Sequence, residues 1–218
     1  ENKPAMVIVT HISNVCGNIN PIEKLGVVAK EFGATYVVDC AQSAGLLTTD
    51  IIKAKADYMV FAGHKTLYGP FGCSGFVCKK NVNLNPLIYG GIGIDSLNWD
   101  MPSEVPQRFE AGSYNILSIA GLYAALKWNQ QIGINNIFDK EKENFQKLYN
   151  IIKNIEEIQV IGNINNSCSI ISCLIKGLPV DATENILSQN GIIVRAGLHC
   201  APLAHRFLNT LPEGTVRF

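Results

Sequence analysis

The sequence has no surplus of charge of either sign. Lys+Arg and Asp+Glu number 18 each, so the formal net charge is zero. Without clustered positive excess, a chain is poorly suited to a nucleic-acid backbone. No apolar run approaches membrane-span length, and residues 1–20 lack the form of a secretory signal, so no membrane is expected as a partner. There is no Cys-x-x-Cys pair. The seven cysteines (Cys16, Cys40, Cys73, Cys78, Cys168, Cys173 and Cys200) are odd in number and scattered. That argues against a disulfide framework and for reduced thiols in a cytoplasm. Cys168 and Cys173 lie in the apolar run CSIISCLI, where core positions are expected. No internal repeat or low-complexity linker is visible. An initiator methionine is also missing: the chain opens Glu1-Asn2-Lys3-Pro4, and the expectation is that it begins inside a longer protein.

What is present is an ordinary globular composition. With 218 residues, 47% of them hydrophobic, the chain can bury a substantial core. The first third alternates. MVIVT (6–10) reads as a buried strand, PIEKLGVVAKEFG (21–33) as a helix opened by Pro21 and closed by Gly33, and TYVVDC (35–40) as a strand. TTDIIKAKA (48–56) reads as a short helix and DYMVF (57–61) as a third strand. This order predicts an α/β fold: a mostly parallel sheet with crossover helices. Further on, ILSIAGLYAALKW (116–128), the amphipathic stretch 135–155 and VDATENILSQNG (180–191) read as helices, with a strand pair between the last two and a strand at GIIV (191–194). Residues 1–130 are expected to form part of a large domain, and 131–218 a smaller α+β C-terminal domain.

In parallel sheets, ligands bind beyond the carboxyl ends of the strands. That rule gathers Asn14 after the first strand, Asp39 and Gln42 at the end of the second, and His64 and Lys65 after the third. Singly, such an aspartate is a turn or cap residue and such a histidine or lysine is solvated. Jointly, three consecutive strands deliver polar groups to one rim. Glycines at 63, 69, 72 and 75 surround the lysine and permit close backbone approach.

VVDCAQS followed by AGHKTLYGPFG resembles the core of the class V aminotransferase family, whose members use pyridoxal phosphate. The branch it resembles most is that of the cysteine desulfurases and selenocysteine lyases. THISNVCG (10–17), RFEAGSYN (108–115), VRAGLHCAP (194–202) and GTVRF (214–218) match in the family's order, over nearly the whole chain. The resemblance implies that Lys65 carries the cofactor as a Schiff base, which needs a neutral amine. It implies that Asp39 holds a proton on the pyridine nitrogen, making the ring an electron sink. Gln42 would bond the phenolate oxygen, Asn14 the cofactor oxygen or the bound amino acid, and His64 the phosphate. Ala62 stands where the family has a phosphate-binding serine, which removes one donor.

Gly112-Ser113 fits the family's turn that reaches the phosphate of a partner subunit, implying a homodimer; without the family it reads as a loop before a helix. Arg195 would bind the substrate carboxylate, for which a planar fork is suited. Cys200 would be the persulfide-forming nucleophile, with Arg195 and His199 as positive neighbours favouring the thiolate. Leu198 replaces one histidine of the family pattern. The implied activity is conversion of L-cysteine to L-alanine, with a sulfur-acceptor protein as a further partner. A selenocysteine lyase, another class V aminotransferase, and a cofactor-free interaction scaffold remain open as alternatives. Reading His199, Cys200 and His205 as zinc ligands lacks a second cluster and regular spacing, so no metal is expected. The family's large domain begins well before Glu1 and continues past Phe218. The 218 residues are therefore expected to be a fragment that alone binds the cofactor weakly and has little activity.

Overall fold

The computed structural model describes residues 3–79, 84–94 and 97–218. β1 (Met6–Thr10), α1 (Ile22–Glu31), β2 (Thr35–Asp39) and β3 (Tyr58–Ala62) follow in order. β1 pairs with β2 and β2 with β3, both in parallel, as the strand–helix–strand pattern predicts. β4 (Ser74–Cys78) then returns antiparallel beside β3. It was not expected from the sequence, because glycines and a proline dominate the approach to it. The sheet is thus mixed and mostly parallel, in the order β1-β2-β3-β4.

The expected helix at 48–56 is a series of turns instead. Asp50 Oδ1 accepts from the backbone N–H of Ile52 and Lys53 at 2.8 and 3.1 Å, which opens a turn. Lys55 then adopts a left-handed φ of 53°, and the segment stops before a helix can propagate.

α2 (Ile116–Ile132) and α3 (Ile134–Ile152) lead into a second sheet. β5 (Ile158–Ile161), β6 (Ser172–Ile175), α4 (Val180–Gln189), β7 (Arg195–Gly197), α5 (Pro202–Phe207) and β8 (Thr215–Arg217) complete the chain. Four antiparallel strands in the order β5-β6-β8-β7 form this sheet, so the expected strand pair is half of it. GIIV is not a strand. β7 begins one residue later, where Arg195 can pair with Arg217.

The first core is Tyr36, Val38, Ala54, Ala56, Met59 and Ile22, packed between one face of the parallel sheet and α1. Tyr36 is fully buried and its hydroxyl donates to Ile22 O at 3.0 Å. Burial pushes its pKa up to about 12. Gly26 lets α1 seat here: a Cβ at that position would lie 1.9 Å from Ala54 O. The opposite face of the sheet exposes Ile8, Val60 and Phe76. Among the described residues no helix is long and apolar enough to cross a membrane, and all seven cysteines are free.

Gly26→Ala separates packing from propensity. Alanine favours a helix by about 1 kcal/mol, yet overpacking against immovable backbone costs about 1–3 kcal/mol or more. Urea unfolding of the variant should show a net loss of stability; a gain would mean that α1 does not contact the Ala54 turn.

Candidate active site

The carboxyl ends of β1, β2 and β3 lie side by side, with Thr10 opposite Asp39 and Asp39 opposite Val60. Alternation along β2 puts Asp39 on the face away from Tyr36 and Val38. Its Oδ1 accepts from Ala41 N at 2.9 Å, leaving Oδ2 without a hydrogen bond among the described residues. Its carbonyl accepts from His11 N at 2.9 Å, tying the ends of β1 and β2 together. Gln42 follows in the next turn and is partly buried.

Lys65 sits in the loop after β3, exposed, with no ion pair among the described residues. The loop is firmly held. Gly63 N donates to Cys73 O at 3.1 Å and Gly69 N to Gly63 O at 2.8 Å. A Cβ on Gly63 would lie 2.2 Å from Cys73 O, so only glycine fits. Two buried polar residues of α2 fasten the loop from outside: Ser118 Oγ donates to Phe71 O at 2.7 Å and Asn129 Nδ2 to Leu67 O at 3.1 Å. Sequence reading missed both. Their signal was faint, two small polar residues inside an apolar helix. His64 stacks on Phe71, with ring centroids 4.8 Å apart.

The other wall comes from the second sheet. Asn14 Nδ2 donates to His199 O at 2.6 Å, and Asn14 O accepts from Arg217 Nη1 at 2.7 Å. The loop after β1 is therefore bonded both to the turn bearing Cys200 and to β8. Arg195 and Arg217 face each other across β7 and β8. With Glu184 they border a cleft of about 580 Å³. Burial and the neighbouring Arg195 lower the pKa of Arg217, while Cys200 raises it. Arg217 was quoted only as part of a motif in the sequence, and its place beside Cys200 depends on strand pairing that the sequence does not display. Cys200 is exposed.

His199 does not supply the positive charge expected of it. Burial, Arg217 and His205 push its pKa down to about 4, so the ring is neutral near pH 7. Its Nε2 lies 3.1 Å from both Thr215 O and Thr215 Oγ1. His205 is fully buried, with Nδ1 2.7 Å from Thr210 Oγ1. These ring nitrogens are engaged by threonines rather than directed at a common centre. Ser113 lies exposed just before α2. A cavity of about 830 Å³ near Tyr89, Trp99 and Arg108 contains none of the predicted residues.

The edge fits pyridoxal phosphate on its own chemistry. Among the described residues it offers an amine in no ion pair, a carboxylate with one oxygen unbonded, and an amide in a partly buried turn.

Known proteins are similar to this chain over nearly its whole length. The family model for aminotransferase class-V matches residues 1–218. Proteins described as probable cysteine desulfurases are similar: that of Methanothermobacter thermautotrophicus is 35% identical over 97% of this chain and 54% of its own length. That of Pyrococcus abyssi is 36% identical, also over 97% of this chain and 54% of its own length. The apo structure of a cysteine desulfurase from Thermococcus onnurineus NA1 superposes with a TM-score of 0.84 at 34% identity, covering 98% of this chain and 54% of that one. The chain spans about half the length of the curated relatives it matches. It belongs to the class V aminotransferase family.

Acid should destabilise this site through its histidines. The pKa values of His11, His199 and His205 are all lowered by burial, against about 6.5 in an unfolded chain. The unfolded state then binds more protons, so the stability is complete above about 6.5 and is lost as pH falls toward about 4 for His199. The urea midpoint should drop between pH 7.5 and 4.5. The loss attributable to His199 is on the order of 1–2 kcal/mol after solvent screening of its half-buried ring. A flat profile would contradict the burial of these rings.

Proposed function

We propose that this class V aminotransferase chain serves a pyridoxal-phosphate-dependent cysteine desulfurase, which converts L-cysteine to L-alanine and leaves the sulfur as a persulfide on Cys200. The observation that carries this reading is the hydrogen bond from Asn14 to the carbonyl of His199, 2.6 Å long. It ties the turn bearing an exposed thiol to the loop after β1, the neighbour of the strand that ends in Asp39. Bound at this edge, pyridoxal phosphate supplies an electron-withdrawing ring that stabilises negative charge at the substrate's α-carbon.

The protein's own groups take distinct parts. Lys65 would link to the cofactor and move the α-proton, for which an amine with no ion pair among the described residues is suited. Asp39 would hold a proton on the ring nitrogen through its unbonded oxygen, and Gln42 would donate its amide to the phenolate oxygen. His64, braced by Phe71, would meet the phosphate, and Ser113 the phosphate in a partner subunit. Arg195, with Arg217 opposite, would hold the substrate carboxylate in a fork. The Cys200 thiolate would attack the substrate sulfur: an S–S bond forms, the C–S bond breaks, and the carbon left behind takes a proton to become alanine. An exposed Cys200 suits hand-over to a sulfur-acceptor protein. Exposed Ile116, Leu117 and Tyr123 on α2 support a homodimer. The free thiols support a cytoplasmic setting. Residues 1–130 would act as the cofactor-binding unit and 131–218 as the unit carrying Arg195 and Cys200.

Two substitutions in the intact protein divide the roles. Lys65→Ala should abolish the borohydride-trappable cofactor adduct. Cys200→Ala should retain that adduct but lower sulfide release from cysteine on the order of a thousandfold or more. An adduct trapped on another lysine, or undiminished sulfide release without Cys200, would overturn the assignment. Selenide release alone, with no action on cysteine, would make the protein a selenocysteine lyase.

A further inference from the structure

The turn bearing Cys200 passes through two consecutive left-handed residues, His199 with φ 49° and Cys200 with φ 59°. For side chains other than glycine each such conformation is unfavourable. The pair therefore persists only if its surroundings fix it. Ala201 N donates to Leu198 O at 2.8 Å, closing the turn from within. Asn14 holds the His199 carbonyl from one side. The His199 ring reaches the other side, its Nε2 3.1 Å from the carbonyl and the hydroxyl of fully buried Thr215. The carbonyl oxygen only accepts and the hydroxyl can do either, so a protonated Nε2 can donate to both.

We propose that His199 is a positioning residue, a neutral clamp that donates Nε2–H to Thr215 and holds Cys200 at the mouth of the site beside Arg217. The cation beside Cys200 is Arg217, not this imidazole. The inference rests on Cys200 being the reactive thiol. Arg217 of β8 opposes protonation of the ring, and Arg195 of β7 pairs with Arg217. His205 of α5 adds to this, its ring centroid 5.5 Å away. Glu184 of α4 borders the cleft beside the two arginines. The clamp and the arginine also share one anchor, since Asn14 bonds both the His199 carbonyl and the Arg217 guanidinium. Losing the Thr215 contact would free the turn to carry the thiol away from Arg217.

The test is the pH dependence of Cys200 alkylation by iodoacetamide in the intact protein, read by mass spectrometry of the Cys200 peptide. His199→Gln keeps an N–H donor near the Nε2 position and has nothing to titrate; His199→Ala removes the donor. The glutamine variant should keep the parental midpoint. The alanine variant should raise it by about half a unit or more, about a threefold loss of thiolate at neutral pH. If His199→Ala fails to fold, His199→Asn, too short to reach Thr215, takes its place. Equal shifts in the glutamine and donor-less variants would show that His199 acts through charge. No shift in either would show that it positions nothing. Either result overturns the proposal. A parental protein that alkylates at Cys200 yet releases no sulfide from cysteine would defeat the desulfurase reading and leave the clamp standing.

Discussion

Asn14 is the point on which the site depends. Its side-chain N–H donates to the carbonyl of His199 and its own carbonyl accepts from Arg217. One residue in the loop after β1 thus binds the Cys200 turn and a strand of the second sheet together. The bonds are short, part-buried and span 185 and 203 residues of sequence. A hydrogen bond of this kind contributes about 0.5–1.5 kcal/mol net, more to a charged partner. Such bonds matter less for total stability than for setting where two independently packed sheets meet.

The loop around Asn14 is prepared for that task. Asn20 Nδ2 donates to Thr10 O at 2.8 Å and folds the loop back on β1. Cys168 N donates to Gly17 O at 3.2 Å, and Asn166 Nδ2 to Ile19 O at 2.7 Å. Ser172 Oγ donates to Val15 O, fully buried. Beneath them Ile12, Leu46, Ile137 and Cys168 form a small apolar cluster joining both parts of the chain. Polar bonds fix the register and the cluster supplies burial, so the thiol turn and the strand edge are held as one unit. Cys168 takes part in both the hydrogen bonding and the packing, and Asn14 carries that support to the strained turn at Cys200.

Much of this was legible in the sequence, and the limits have physical causes. The parallel strands could be read because their apolar runs are short and bounded by helix and turn signals. The rule that ligands sit beyond carboxyl ends then gathered Asn14, Asp39, Gln42, His64 and Lys65 without distances. β4 was hidden because glycine and cysteine replace the usual branched residues along it. The 48–56 turns looked helical because Asp50's cap, which favours a helix start, instead closes a local turn. Ser118 and Asn129 were invisible because their importance lies in which carbonyls they reach. His199 was misread for a similar reason. Proximity in sequence suggested a cation, but burial and a neighbouring guanidinium keep its ring neutral, and only three-dimensional packing reports that.

The central claim is that Asn14 couples the first sheet to the Cys200 turn. Amide hydrogen exchange of the intact protein, parent against Asn14→Ala, measures it most directly. Exchange should quicken at residues 198–201 and at 215–217, while β2 and β3 keep their protection. Unchanged exchange at 198–201 would contradict the account, because the turn would then be held without Asn14.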